Sequence, residues 1–193
     1  MPTQTKLEVQ LNEYDNSWYR PASRGKIYLW LITNALFFNN NLAVFNGFKC
    51  FLLKLFGAKI GKRILIKPSV NIKYPWFLSI GDYCWIGENV WIDNLTHVSI
   101  GNNVCISQGA MLLTGNHDFT KTTFDLIVKP IVIEDGVWIG AKSVVCPGVY
   151  CESHAVLSVQ SVATKRLNAY AIYKGNPAKP TKSREINLSD IIQ

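Results

Sequence analysis

From Ile60 onward an aliphatic residue recurs every six positions, often followed by glycine, with a small or aliphatic residue four places after it. The beat runs "IGKRIL" at 60, "IKPSVN" at 66, "IGDYCW" at 80, "IGENVW" at 86, "IDNLTH" at 92, "IGNNVC" at 100, "ISQGAM" at 106 and "LLTGNH" at 112. It returns with "IEDGVW" at 133, "IGAKSV" at 139, "VCPGVY" at 145, "CESHAV" at 151 and "LSVQSV" at 157. A period of six fits neither an amphipathic helix nor an alternating strand. It predicts a solenoid of short parallel strands, each turn pointing one large aliphatic residue inward beside a small one. Three hexads make an 18-residue coil, so the expected cross-section is triangular. Two extra residues fall at each of the first two coil junctions and fifteen, residues 118–132, at the third. The stretch "TGNHDFTKTTFD" (114–125) therefore predicts a protruding loop at 118–132 that leaves one corner just after His117. Long loops on rigid scaffolds often carry function.

The flanks follow other rules. Residues 1–26 are polar and read as irregular or extended. Residues 27–56 carry aromatic and aliphatic clusters broken by "NNN", which predicts two short helices. Their longest strongly apolar piece is about a dozen residues, short of the ~20 needed to span a bilayer. Two readings stand: the helices cap the neighbouring repeat domain, which needs covered ends, or they make a peripheral membrane contact, with Lys49, Lys54 and Lys59 at lipid headgroups. The expected organisation is an N-terminal extension (1–59), a β-helix (60–168) and a C-terminal tail (169–193).

Composition narrows the setting. At 193 residues, 48% hydrophobic and 17% charged, the chain can bury a core and is not disordered. Five cysteines without a C-x-x-C, and no secretory-signal pattern, suggest reduced thiols and a cytoplasmic location. Residues 82–152 hold eight acids against three lysines, a charge of −5, so within the net +7 the two ends together carry +12. Basic ends suit a phosphorylated ligand, an anionic membrane or nucleic acid. No nucleic-acid motif accompanies them, so no nucleic-acid partner is expected.

"LFGAKIG" (55–61), "IGENVWIDNLTHVSIGNNVCISQGAMLLTGNHD" (86–118), "PIVIEDGVWIGAKSVVCPGV" (130–149) and "KGNPAK" (174–179) resemble the hexapeptide-repeat acyltransferases. Within them the pattern looks most like the colanic acid biosynthesis acetyltransferases. It is more distantly similar to maltose, galactoside and nodulation-factor O-acetyltransferases. The resemblance covers about residues 15–182. It implies a left-handed parallel β-helix and a homotrimer with active sites between subunits. It also implies acetyl-CoA as acyl donor in one groove, and a sugar or glycan acceptor at the groove's other end.

The resemblance also assigns residues. His117 matches the catalytic histidine; a neutral imidazole suits proton removal from a hydroxyl, since its pKa lies near working pH. Asp118 would orient the imidazole, bind sugar or cap the loop. Asn89 and Asp93 align with acceptor-binding positions, although Asn89 also suits a turn in "GENV". Trp85, Trp91 and Trp138 share position six of their hexads; Trp91 could stack on the acceptor and Trp138 on the pantetheine arm, or they pack the corners. Ala141 and Val159, 18 residues apart, match the positions whose backbone bonds that arm. Thr164, Lys165, Lys179 and Lys182 match the phosphate end. Two departures stand out: "LSVQSV" where relatives carry a glycine-rich step, with Val159 and Gln160 making the groove bulkier, and "TGNHD" where several relatives have a shorter spacing.

Two rival readings remain at this point. One is a non-catalytic trimeric scaffold that keeps the repeat and has lost the site. The other is a zinc-dependent, carbonic-anhydrase-like enzyme. His97 and His117 both end their coils and would stack about 5 Å apart. His154 sits far beyond, so the three-histidine zinc pattern is not matched and no metal is expected.

Overall fold

The computed structural model describes residues 7–42 and 44–187; the first six residues of the extension and the last six of the tail lie outside them. Five coils stack as a triangular parallel β-helix. The first is β1 (Lys59–Ile60), β2 (Leu65–Ile66) and β3 (Asn71–Ile72); the second is β4 (Leu78–Ile80), β5 (Trp85–Ile86) and β6 (Trp91–Asp93). The third is β7 (Val98–Ile100), β8 (Cys105–Ile106) and β9 (Met111–Leu113). A hairpin, β10 (Gly115–His117) and β11 (Leu126–Val128), intervenes. Then come β12 (Ile131–Ile133), β13 (Trp138–Ile139) and β14 (Val144–Val145), followed by β15 (Tyr150–Cys151), β16 (Val156–Leu157) and β17 (Val162–Ala163). The first face is β1-β4-β7-β12-β15, the second β2-β5-β8-β13-β16, the third β3-β6-β9-β14-β17.

The hexad beat becomes ladders of buried side chains. Ile60 opens the first-face ladder, and above it Ile80, Ile100, Ile133 and Cys151 are buried. Ile66, Ile86, Ile106, Ile139 and Leu157 fill the second, and Ile72, Ile92, Leu112, Val145 and Ala163 the third. Each large member contributes roughly 1.5–3 kcal/mol by leaving water. The smaller partner of each hexad fills the corners between ladders: Cys84, Val104, Val137 and Ala155 at one, Val90, Ala110, Ser143 and Ser161 at another.

Two of the corners turn through one left-handed residue placed two before the next strand. Asn89 (φ 58°), Gly109 (68°), Lys142 (55°) and Gln160 (55°) do so between second and third faces. The third corner, from the third face back to the first, is longer in the first three coils and turns through Gly148 (81°) in the fourth. It holds the two extra residues of the early coils and also the hairpin. There the structure corrects the loop boundaries: the chain leaves the coil at Gly115 and rejoins at Ile131. Thr114 is the last residue in register, its N–H donating to Asp93 O (3.2 Å) and its own O accepting from Lys129 N (2.9 Å). His117 lies inside the hairpin, opposite Leu126. It does not stack on His97, whose carbonyl accepts from Ile131 N at 3.0 Å.

Helices α1 (Arg24–Phe37) and α2 (Asn46–Leu55) close the first coil. Ser23 caps α1 by accepting from Lys26 N. Trp30 is buried and donates Nε1–H to Ile72 O at 2.8 Å. Asn46 of α2 donates to Ile64 O and accepts from Ile66 N, both at 2.7 Å, as a neighbouring strand would. The buried Lys49 ammonium donates to Ile66 O (3.2 Å) and Lys67 O (2.8 Å), and burial lowers its pKa. The inner helix faces thus satisfy an otherwise bare sheet end. At the other end β18 (Ala171–Gly175) pairs in parallel with β16 and in antiparallel with β19 (Ala178–Ser183), so the residues after 169 extend the second face. Among the described residues no helix is long and apolar enough to cross a membrane.

Candidate active site

The hairpin aims His117 through Phe124. Phe124 adopts φ 52°, a conformation rare for a bulky residue, and so turns its carbonyl back to His117 Nδ1 at 2.9 Å. Its ring stacks on the imidazole, with centroids 4.4 Å apart and planes 8° apart. With Nδ1–H donating to that carbonyl, Nε2 is the nitrogen left to accept a proton. Tyr14 covers another side, with ring centroids 5.6 Å away.

Asp118 does not orient the imidazole. Its Oδ1 accepts from the Thr120 hydroxyl (2.6 Å) and Thr120 N (3.1 Å), and the Thr120 hydroxyl chiefly holds its carboxyl below the usual range. Asp125 pairs with Lys121 at 2.8 Å. Both acids therefore shape the hairpin, and Asp118 is a turn residue for the reason that favours Asp in such turns.

His117 lines a cleft of about 450 Å³ with Tyr14, Tyr19, Lys73, Tyr74, Leu95 and others. Lys73 and Tyr74 also line an adjoining pocket of about 230 Å³, where Trp91 and Asp93 sit below Trp30 and Asn34 of α1. Asp93 Oδ1 is buried, has Lys73 Nζ at 3.1 Å, and makes no hydrogen bond among the described residues. The Asp93 carboxylate, paired with Lys73, lines this pocket, and a carboxylate has acceptor capacity for more than one donor. Tyr19 donates its hydroxyl to Leu95 O at 2.5 Å; burial, then the Tyr74 and Asp93 charges, push its pKa up, so it stays a donor. The structure thus gathers His117, Asp93 and Trp91 along one pair of clefts. Asn89 is not among them: it is the left-handed residue at the corner where the third face begins.

The residues expected on the cofactor side also divide. Ala141 and Val159 do stack, with Gln160 N donating to Ala141 O at 2.9 Å. Trp138 points outward on the second face and donates Nε1–H to Ser107 Oγ at 2.9 Å, so it does not pack a corner. Trp85 is likewise exposed on that face. Thr164, Lys165 and Lys179 share a cleft of about 330 Å³ with Arg166. Lys182 lies outside that lining, exposed and opposite Ile172.

Four contributors have no counterpart in the sequence reading: Tyr14, Tyr19, Lys73 and Phe124. The cluster "YDNSWY" within a polar segment was the available signal for the first two. The segment is anchored to the hairpin, Gln10 N donating to Thr122 O at 2.8 Å.

The three histidines keep separate surroundings: His97 against Phe77 (5.1 Å), His117 in the hairpin, and His154 stacked on Tyr170 (4.7 Å). Among the described residues no three His, Cys, Asp or Glu side chains gather as metal ligands. All five cysteines are free, and burial raises the pKa of each, Cys151 to about 12.

No protein-family model matches the chain. It is 39% identical over 166 residues to WcaF of Escherichia coli K12, provisionally named a colanic acid biosynthesis acetyltransferase, across 86% of this chain and 91% of that protein. It is 30% identical to the galactoside O-acetyltransferase of the same organism, across 72% and 69%. Among solved structures it is similar to the hexapeptide-repeat acetyltransferase VCA0836 of Vibrio cholerae (TM-score 0.75, 25% identity, 86% of this chain and 96% of that one). The complex of that protein with acetyl-CoA gives a TM-score of 0.73 at 23% identity, across 84% and 87%.

Proposed function

The chain belongs to the hexapeptide-repeat acetyltransferases of the left-handed β-helix fold, and from that premise we propose that it acetylates a saccharide hydroxyl with acetyl-CoA, in exopolysaccharide assembly. The observation that carries the reading is the His117–Phe124 pair: one imidazole nitrogen is occupied by a backbone carbonyl, and the ring lines an open cleft that adjoins the Asp93 pocket. His117 Nε2 takes the acceptor hydroxyl proton as that oxygen attacks the thioester carbonyl. The C–O bond forms, the C–S bond breaks, and the proton passes to the departing thiolate. Transfer is direct, since the five cysteines, with pKa values raised by desolvation, offer no activated nucleophile.

Asp93 and Trp91 bind the acceptor, by hydrogen bond and stacking. Ala141 and Val159 meet the pantetheine arm, and Thr164, Lys165 and Lys179 the phosphates. One chain sets His117 at the corner closing the third face and Ala141 and Val159 at the corner opening it. That separation supports a site shared between copies and hence a homotrimer. The cytoplasm, where acetyl-CoA is available, is the proposed location.

Acetyl-CoA incubated with a panel of saccharides should release free thiol only with an accepted sugar, whose mass should gain one acetyl group. Glycan binding without thiol release across the panel would favour the scaffold. Loss of turnover in EDTA with recovery in zinc would favour the metal reading.

A further inference from the structure

Helix α1 is apolar on every side, yet only one side is covered. Trp30 and Asn34 are buried against the β-helix, while Leu29 (60% exposed), Ile32 (58%) and Leu36 (57%) line up one and two turns apart on the open side. On α2, Phe51 (57%) and Leu55 (67%) add to this apolar cap. Between the helices runs a groove of about 550 Å³ lined by Lys26, Leu29, Thr33, Leu52, Leu55 and Phe56. A helix apolar all round belongs in an interior or against lipid, and a contiguous exposed patch of this kind marks a binding face.

Charge favours lipid over a cap-to-cap copy. From Asn16 to Gly81 the chain has ten lysines and arginines and no Asp or Glu. Arg24 at the start of α1, Lys54 in the last turn of α2, and Lys59, Lys62 and Arg63 just beyond are exposed. A second copy laid cap to cap would set like charges against like. An anionic bilayer supplies an apolar interior for the stripe and negative headgroups for its rim. We propose that the α1–α2 cap docks on the surface of an anionic lipid bilayer, the apolar stripe entering the interfacial layer and the groove receiving an acyl chain. The docking rests on the cap alone. Its consequence rests on the function proposed above: Ile27, Trp30 and Leu31 of the same helix line the Asp93 pocket, so a saccharide on a lipid carrier reaches the site from the membrane side.

Vesicle co-sedimentation tests the docking. The protein should pellet with phosphatidylcholine vesicles containing about 30% phosphatidylglycerol, and at least about fivefold less with phosphatidylcholine alone or in about 0.5 M salt. Leu29→Ser/Ile32→Ser/Leu36→Ser should lower partitioning roughly tenfold or more with an unchanged circular dichroism spectrum. Lys54→Glu/Lys59→Glu, which keeps the stripe, should lower it as well. Three results would overturn the proposal: wild-type protein left in the supernatant with anionic vesicles, an apolar triple variant that pellets like wild type, or a triple variant that light scattering shows in a smaller assembly. The last would assign the stripe to a second copy. Acetyl transfer to a soluble saccharide, run in parallel, reports on the catalytic reading independently.

Discussion

Phe124→Gly separates the stability of the hairpin from its role in catalysis. Phe124 sits at φ 52°, which costs a residue with a Cβ about 1–2 kcal/mol and glycine almost nothing. Against that relief stand three losses, the first being the half-buried surface of the ring, worth about 1 kcal/mol. The stack on His117, at 4.4 Å, contributes about 0.5–1.5 kcal/mol. Glycine adds about 0.5–1 kcal/mol of backbone entropy to be lost on folding. The effects largely offset one another, so global stability in urea should fall by no more than about 2.5 kcal/mol. The imidazole should not keep its aim, because it loses a stacking face and its carbonyl partner rides on a freer residue. A reacting group misplaced by about 1 Å costs on the order of 10²-fold. Steady-state kinetics should therefore show kcat down about 10- to 100-fold, with KM for acetyl-CoA within about twofold. Phe124→Ala keeps the strain and loses the stack, so it should be the less stable of the two and the more active. A glycine variant with wild-type kcat would refute the positioning role, and one destabilised by more than about 3 kcal/mol would refute the energy balance.

Other perturbations probe separate parts. A Cβ on Gly140 would stand 2.6 Å from Val159 N and 2.7 Å from Leu157 O; since these are backbone atoms of the next coil, Gly140→Ala should destabilise by about 1–3 kcal/mol or more in urea titration. Lys165→Ala/Lys179→Ala should raise KM for acetyl-CoA about tenfold with little change in kcat, and the defect should shrink as salt screens the wild-type charges. Glu134 accepts hydrogen bonds from Tyr150 and from Ser153, which hold its pKa below the usual value. A depressed folded pKa stabilises fully above the unfolded value, about 4.3, and is lost as pH falls through the folded value. Glu134→Gln should accordingly flatten the fall in thermal midpoint below about pH 4.3.

The ladders were legible because the hexads within each coil keep a strict spacing of six, and the coils repeat that pattern after two extra residues in the early turns and none between the last two. Ile106 and Ile139 each open the second hexad of their coil on either side of the interruption, and that place within a coil is visible in a string of letters. The corner residues were less so. Asn89 suited both a sugar and the turn in "GENV", and its left-handed backbone angle decides for the turn. The start of the hairpin was hidden for a related reason. His117 continues the hexad count, while the strand pairing that removes it from the coil joins it to Leu126 and holds Thr114 to Asp93. Such pairings leave no periodic trace. Phe124 was invisible because its contribution is a carbonyl, which every residue has. Tyr14 and Tyr19 reach the cleft from a segment whose polarity indicated only irregular or extended chain.

His117 carries the central claim, and His117→Ala assayed for both transfer and cofactor binding tests it most directly. The account predicts kcat lower by about 10²–10⁴-fold, the range for loss of a general base, with calorimetric affinity for CoA unchanged. Turnover within about tenfold of wild type, or a loss of activity that tracks a loss of CoA binding, would contradict it.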